Sequence, residues 1–285
     1  MTIEEAVRSN SLTAEHIARL KERARFVRTE TVRLISIAKV GHYSSTFSCA
    51  EIFAVLYYDI LRLRRGEPSW PERDRFLMGK GHAAVGLYPL LADWGFFPAT
   101  LLDGYCQLGN PLGDHPDMRL VPGADFSSGS IGHALSAGLG MALGGRIQKR
   151  SFDVYALLGD GEMQEGQNWE AFMSAPKWKL DNLVMILDHN NGQIDGFVDQ
   201  VMDIEPLGDK LRAFNWNVQM VDGHDLAAVE KALANAQAAN GKPHAIIAKT
   251  IKGKGVSFME NNIAWHGNAP KKEDADKAVK EILNG

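Results

Sequence analysis

Between residues 13 and 40 the chain spaces Ile17, Leu20, Ala24, Val27, Thr31, Leu34 and Ile35 at steps of three and four, with Thr13 or Ser11 available as a cap. That period puts the apolar side chains on one face and predicts a long amphipathic helix. A second helical pattern covers 48–63 and is ended by Gly66, Pro68 and Pro71. Residues 74–79 read as a short strand, and 83–97, almost wholly apolar, as a buried helix. The stretch 109–145 is rich in Gly and Pro in its first half and in small residues in its second. It predicts an irregular loop leading into a helix packed closely on a neighbour.

Past residue 150 the pattern alternates: strand 152–160, helix 166–178, strand 182–190, an intervening segment, strand 217–223, helix 225–239 and strand 244–251. Strands that are apolar along their whole length and separated by helices imply a parallel sheet covered on both faces. The expected fold class is therefore α/β, a doubly wound, mostly parallel sheet flanked by helices, with a helical N-terminal lead-in. Residues 271–285 read as a short solvated helix, and 1–285 as a single domain.

Composition narrows the function classes. The chain has 285 residues, of which 45% are hydrophobic and 23% charged, with a net charge of -4. Such a balance disfavours nucleic acid, whose phosphates call for a basic surface. Cys49 and Cys106 are the only cysteines, too few for a disulfide framework or a thiolate metal cluster. They read as small core residues in a reducing compartment. No stretch approaches the roughly 18 apolar residues that cross a bilayer, and the first residues lack an apolar signal segment. The expected location is the cytoplasm.

In open parallel sheets ligands bind outside the carboxyl ends of the strands. There the sequence sets "GDG" at 159–161 and "DHNNGQIDG" at 188–196, one strand–helix–strand unit apart. Asp160 offers a hard carboxylate oxygen, Gly159 and Gly161 allow close approach, and the helix soon after turns N–H groups toward an anion. Asn190 adds an amide oxygen on the next strand. Carboxylate, amide oxygen and diphosphate oxygens together suit Mg²⁺, which prefers oxygen donors completed by substrate phosphates and water. Either motif alone is ordinary turn chemistry; the pair at neighbouring strand ends reads as a magnesium diphosphate site. No G-x-G-x-x-G follows the first strand and no Walker-type loop occurs.

"GDGEMQEGQNWEAF…NLVMILDHNNGQIDG" resembles the thiamine diphosphate motif in the wording of transketolases. "GKGHAAVGLYPLL", "GDHPDM", "SSGSIGHALSAGLGMALGGR" and "KTIKGKGVSFMENNIAWHG" extend the resemblance, in order, over about residues 20–270. The resemblance implies that Asp160 and Asn190 bind magnesium through side chains and Gly192 through its carbonyl. It also implies that Gly129, Gly132, Gly159 and Gly161 serve the cofactor, and that Glu165 belongs to an acidic contact between subunits. His42, His82, His115 and His266 match the histidines that line the funnel to the cofactor and handle the sugar's first hydroxyls, with His82 also touching the cofactor. Imidazole suits that task because it titrates near neutrality and hydrogen-bonds in both directions.

Two departures stand out. Tyr43 and Ser44 replace the family's Pro-Gly after the first histidine, which alters the expected funnel near the sugar's C1 end. Residues 128–134 keep Gly129 and Gly132 but change the lining, and His133 reads either as a further pocket residue or as surface polarity. The family's cofactor-activating glutamate comes from a second, pyrimidine-binding domain, and no second strand–helix series follows Ile251. The resemblance thus implies the N-terminal subunit of a split transketolase, an α2β2 assembly with a C-terminal partner, transferring a two-carbon ketol unit from a ketose to an aldose. The alternatives are the α subunit of a 2-oxo acid dehydrogenase and a non-catalytic cofactor-binding module. The sugar stays open among pentose phosphates, branched sugar phosphates and sulfonated ketoses.

Overall fold

A computed structural model describes residues 13–285. Thr13 accepts the His16 N–H at 3.2 Å and caps α1 (Ala14–Ala38), which ends where Lys39 turns left-handed at φ 60°. The alternative cap Ser11 lies outside the described residues. There follow α2 (Tyr43–Phe47), α3 (Ala50–Val55), β1 (Arg75–Met78), α4 (Ala84–Asp93), α5 (Ala134–Ile147), β2 (Val154–Gly159) and α6 (Gly166–Lys177). After β3 (Leu183–His189) come a two-residue hairpin, β4 (Gly192–Gln193) with β5 (Gly196–Phe197), then α7 (Val198–Val201) and α8 (Leu207–Ala213). The described chain closes with β6 (Asn217–Asp222), α9 (Leu226–Ala236), β7 (His244–Lys249) and α10 (Lys272–Asn284). The second predicted helix is shorter than its pattern, because α3 loosens into one π turn over Leu56–Ile60.

The main sheet runs β1-β2-β3-β7-β6 with every pair parallel. Alternation along the strands sorts the core into two layers. Phe76, Tyr155, Ile186 and Ile246 face α1, α3, α4 and α9, while Leu77, Leu158, Leu187 and Ile247 face α5, α6 and α8. At Gly138 a Cβ would stand only 3.4–3.8 Å from Val154, Leu183 and Leu77, so α5 lies close on the sheet. The parallel strands deliver the segments after β1, β2, β3 and β7 to one edge, where the motifs fall.

Three expectations change. β6 is an edge strand with no fully buried residue and Met220 exposed, so it is not apolar throughout. The C-terminal helix is amphipathic rather than solvated all round, because Ala275, Ala278 and Ile282 pack into the α1 side of the core. Cys49 is buried, whereas Cys106 is half-buried and left-handed at φ 56°. Among the described residues no helix is long and apolar enough to cross a membrane.

Candidate active site

The register Gly159↔Asp188 aligns the ends of β2 and β3, bringing Asp160 and Asn190 to neighbouring exits of the sheet. Asp160 is 1% exposed; its Oδ1 accepts the Gly161 N–H at 2.9 Å, and its Oδ2 accepts the Asn191 N–H and lies 3.2 Å from His189 Nδ1. Asn190 Oδ1 accepts the Gly192 N–H at 2.9 Å. Both side-chain oxygens are thus fixed by local backbone. The expected helix N-terminus sits further off, since a 3₁₀ turn (Gly161–Gln164) intervenes before α6. Gly159 leaves open space where a Cβ would be, while at Gly161 a Cβ would press on Gln193 Cβ at 3.0 Å.

Two buried lysines flank these oxygens. The Lys80 ammonium binds the Ser45 carbonyl at 2.7 Å and pairs with Asp188. Asp188 also accepts from Ser48 Oγ at 2.6 Å, Asn190 Nδ2 at 3.0 Å and Thr250 Oγ1. Burial opposes both charges, but their mutual attraction holds Asp188 below and Lys80 above its ordinary pKa. Among the described residues Lys252 has no such carboxylate: its Nζ donates to Ser45 Oγ at 3.1 Å, and burial with nearby Lys80 lowers it to about 8. Its stem passes over Gly192, where a Cβ would collide with Lys252 Cδ at 2.6 Å. An under-compensated buried cation beside a buried carboxylate and an amide oxygen fits a diphosphate with its metal ion.

Glu162 ties two glycine loops together. Its Oε1 accepts the Gly132 N–H at 2.8 Å and its Oε2 the Gly159 N–H at 3.2 Å, and burial lifts its carboxyl to about 7. Gly132 adopts φ +88° and abuts Glu165, whose Cβ would stand 2.5 Å from any Cβ added there, so only glycine fits. Gly129 lies against the His115 ring. Glu165 itself is exposed.

The four histidines named from sequence converge. Ring centroids of His82, His266 and His115 lie 5.0, 5.5 and 6.3 Å from that of His42, and His82 and His266 are 5.3 Å apart. Asp114 Oδ2 stands 3.5 Å from His42 Nδ1 and 3.6 Å from His115 Nδ1. Burial and the neighbouring Lys80 hold His82 well below its usual pKa; burial, then Lys252, brings His266 to about 3. Both are neutral at physiological pH, able to donate from one nitrogen and accept at the other. His266 Nδ1 is buried without a partner among the described residues, a position suited to an incoming hydroxyl.

Tyr43 does not line this cluster. It is fully buried, edge-on to Phe47 at 5.9 Å, while Ser44 Oγ donates to the Trp265 carbonyl at 3.1 Å beside His266. His133 is exposed, its Nδ1 3.2 Å from the Ile131 carbonyl. Sequence reasoning missed Lys80, Lys252, Asp188, Ser45 and Glu162. All but Ser45 stood inside a quoted motif, Lys80 two residues before His82 and Asp188 two before Asn190, but a lysine or acid there gives no sign of burial until the strands are aligned.

The chain matches, over residues 19–284, the family described as transketolase, thiamine diphosphate binding domain. It is 41% identical over 263 residues to the 6-deoxy-6-sulfo-D-fructose transketolase subunit SqwG of Clostridium sp. (strain MSTE9), covering 92% of this chain and 96% of that one. It is 38% identical to a subunit of the apulose-4-phosphate transketolase of Phocaeicola vulgatus, covering 90% of each. The crystal structure of transketolase from Campylobacter jejuni superposes with a TM-score of 0.88 at 29% identity, over 93% of this chain and 43% of that one. The chain spans less than half of that longer transketolase. By sequence and by fold, this chain belongs to the transketolase family and carries its thiamine diphosphate-binding domain.

Proposed function

We propose that this chain is the diphosphate-binding subunit of a two-chain transketolase. It transfers a two-carbon ketol unit from an acidic ketose to an aldose with thiamine diphosphate and Mg²⁺. The observation that carries this reading is the convergence of His42, His82, His115 and His266, next to a buried site holding Asp160, Asn190 and Lys252. Several imidazoles together suit vicinal sugar hydroxyls; decarboxylation of a 2-oxo acid has no comparable need for them.

Asp160, Asn190 and the Gly192 carbonyl would hold the magnesium ion, and Lys252, with Gly129, Gly132, Gly159 and Gly161, would receive the diphosphate. Thiamine diphosphate, when bound, supplies a carbon nucleophile for ketol transfer. This chain's residues grip the diphosphate, exclude water and exchange protons with the sugar's hydroxyls through His266 and His42. The described residues act as one diphosphate-binding domain, and the acid that activates the cofactor comes from a C-terminal partner in an α2β2 complex in the cytoplasm. Relatives named for a sulfonated fructose and for apulose 4-phosphate support a donor with an anionic tail.

The test isolates the tagged chain from its native extract with Mg²⁺ and thiamine diphosphate, followed by native mass and ketol-transfer assays. A second chain in a two-plus-two complex with transfer activity is expected. A complex that lacks transfer on every ketose phosphate and sulfonated ketose offered would overturn the reading.

A further inference from the structure

Apart from the four clustered histidines, three charged or polar groups from separate elements meet in the interior. Arg28 on α1 donates to both oxygens of Glu51 on α3, at 2.6 and 2.7 Å, and to the Phe47 carbonyl at 2.9 Å. Glu51 Oε2 also lies 3.0 Å from Nδ1 of His224, in the turn before α9. The other ring nitrogen of His224, Nε2, is 2.8 Å from the backbone N of Ile251. An amide nitrogen only donates, so Nε2 is the bare acceptor, Nδ1 carries the proton, and Glu51 fixes that tautomer.

We propose that His224 is a positioning residue for the cofactor diphosphate: by accepting the Ile251 N–H it sets the backbone from which Lys252 projects. This rests on the reading of Lys252 as the diphosphate cation. The surrounding fit is close. The His224 turn docks beneath the end of β7, where Gly223 N donates to the Lys249 carbonyl at 2.8 Å and a Cβ on Gly223 would strike Thr250 Cγ2 at 2.4 Å. On the far side, Gly253 N donates to the Ser44 carbonyl at 3.0 Å. Lys252 is therefore held through its backbone on both flanks, while among the described residues its ammonium has only Ser45 Oγ to hold it. An apolar trio would fill the same space but offer no acceptor to Ile251, which gives the buried ionic cluster a purpose that packing alone does not.

The test is a double-mutant cycle on the full-length chain assembled with its partner, titrating thiamine diphosphate in the presence of Mg²⁺. His224→Ala and Lys252→Ala should each weaken binding about tenfold, and His224→Ala should change it by less than about twofold when Lys252 is already alanine. His224→Gln keeps an acceptor for Ile251, so it should retain most of the affinity and serves if the alanine variant fails to fold. In hydrogen exchange without ligand, the Ile251 amide should exchange faster in His224→Ala and be protected again in His224→Gln. Additive losses in the cycle, or an Ile251 amide indifferent to His224, would overturn the proposal. Unchanged binding in Lys252→Ala would overturn it through Lys252. Failure of the wild-type complex to bind would instead count against the cofactor reading, while Ile251 exchange still decides whether the tether exists.

Discussion

Lys80 and Asp188 form an ion pair whose side chains are 2% and 0% exposed, and the pair stands two residues from His82 on one strand exit and from Asn190 on another. It therefore fastens the histidine cluster to the neighbouring Asp160–Asn190 site. Removing one partner strands the other charge in the interior, so Lys80→Met or Asp188→Asn should cost about 3–5 kcal/mol of stability. Denaturant midpoints would read that loss, and cofactor binding and ketol transfer should fall together. A single variant that keeps full stability would mean water reaches the pair.

His266 offers a separable effect. Its ring packs against those of His42 and His82, so His266→Ala should lower ketol transfer by about 100-fold in the complex with its partner. Affinity for thiamine diphosphate should stay within about twofold. Calorimetry beside steady-state kinetics distinguishes the two readouts; equal losses would make His266 a cofactor contact instead.

Glu51 sets an acid limit on stability. Burial disfavours its charge, yet Arg28 and the His224 N–H outweigh burial and hold the carboxyl at about 2 instead of 4.5. A carboxyl with a lower pKa folded than unfolded contributes stability that is fully present above pH 4.5 and lost as pH falls toward 2. At neutral pH this contribution is on the order of 3 kcal/mol. Unfolding curves of Glu51→Gln should show a shallower loss of stability with acid across that window, on a lower baseline because Arg28 loses its partner. An unchanged slope would show that Glu51 does not titrate with folding.

The alternation of strands and helices after residue 150 was readable because buried parallel strands are apolar along both faces, and it carried the sheet and the two strand-end motifs with it. Edges were harder: β6 has Asn217, Gln219 and Asp222 in a strand paired on one side, a pattern that apolarity alone overstates. The histidines were legible because each sat within two residues of a glycine in a loop, at Gly41, Gly81, Gly113 and Gly267. Lys80, Lys252 and Glu162 were not, since their meaning lies in burial, which depends on α2, β3 and β7 meeting far apart in the chain. Tyr43 misled for the same reason, since its neighbourhood in sequence is the funnel and its neighbourhood in space is the core.

The proposed anchoring of a magnesium diphosphate group by Asp160 and Asn190 is tested most directly by calorimetric titration of thiamine diphosphate with and without Mg²⁺. The wild-type chain in complex with its partner should bind only with the metal present, and Asp160→Asn, which keeps the shape and removes the charge, should weaken binding at least about 100-fold with the circular dichroism spectrum unchanged. Binding that ignores Mg²⁺, or survives Asp160→Asn intact, would contradict the account.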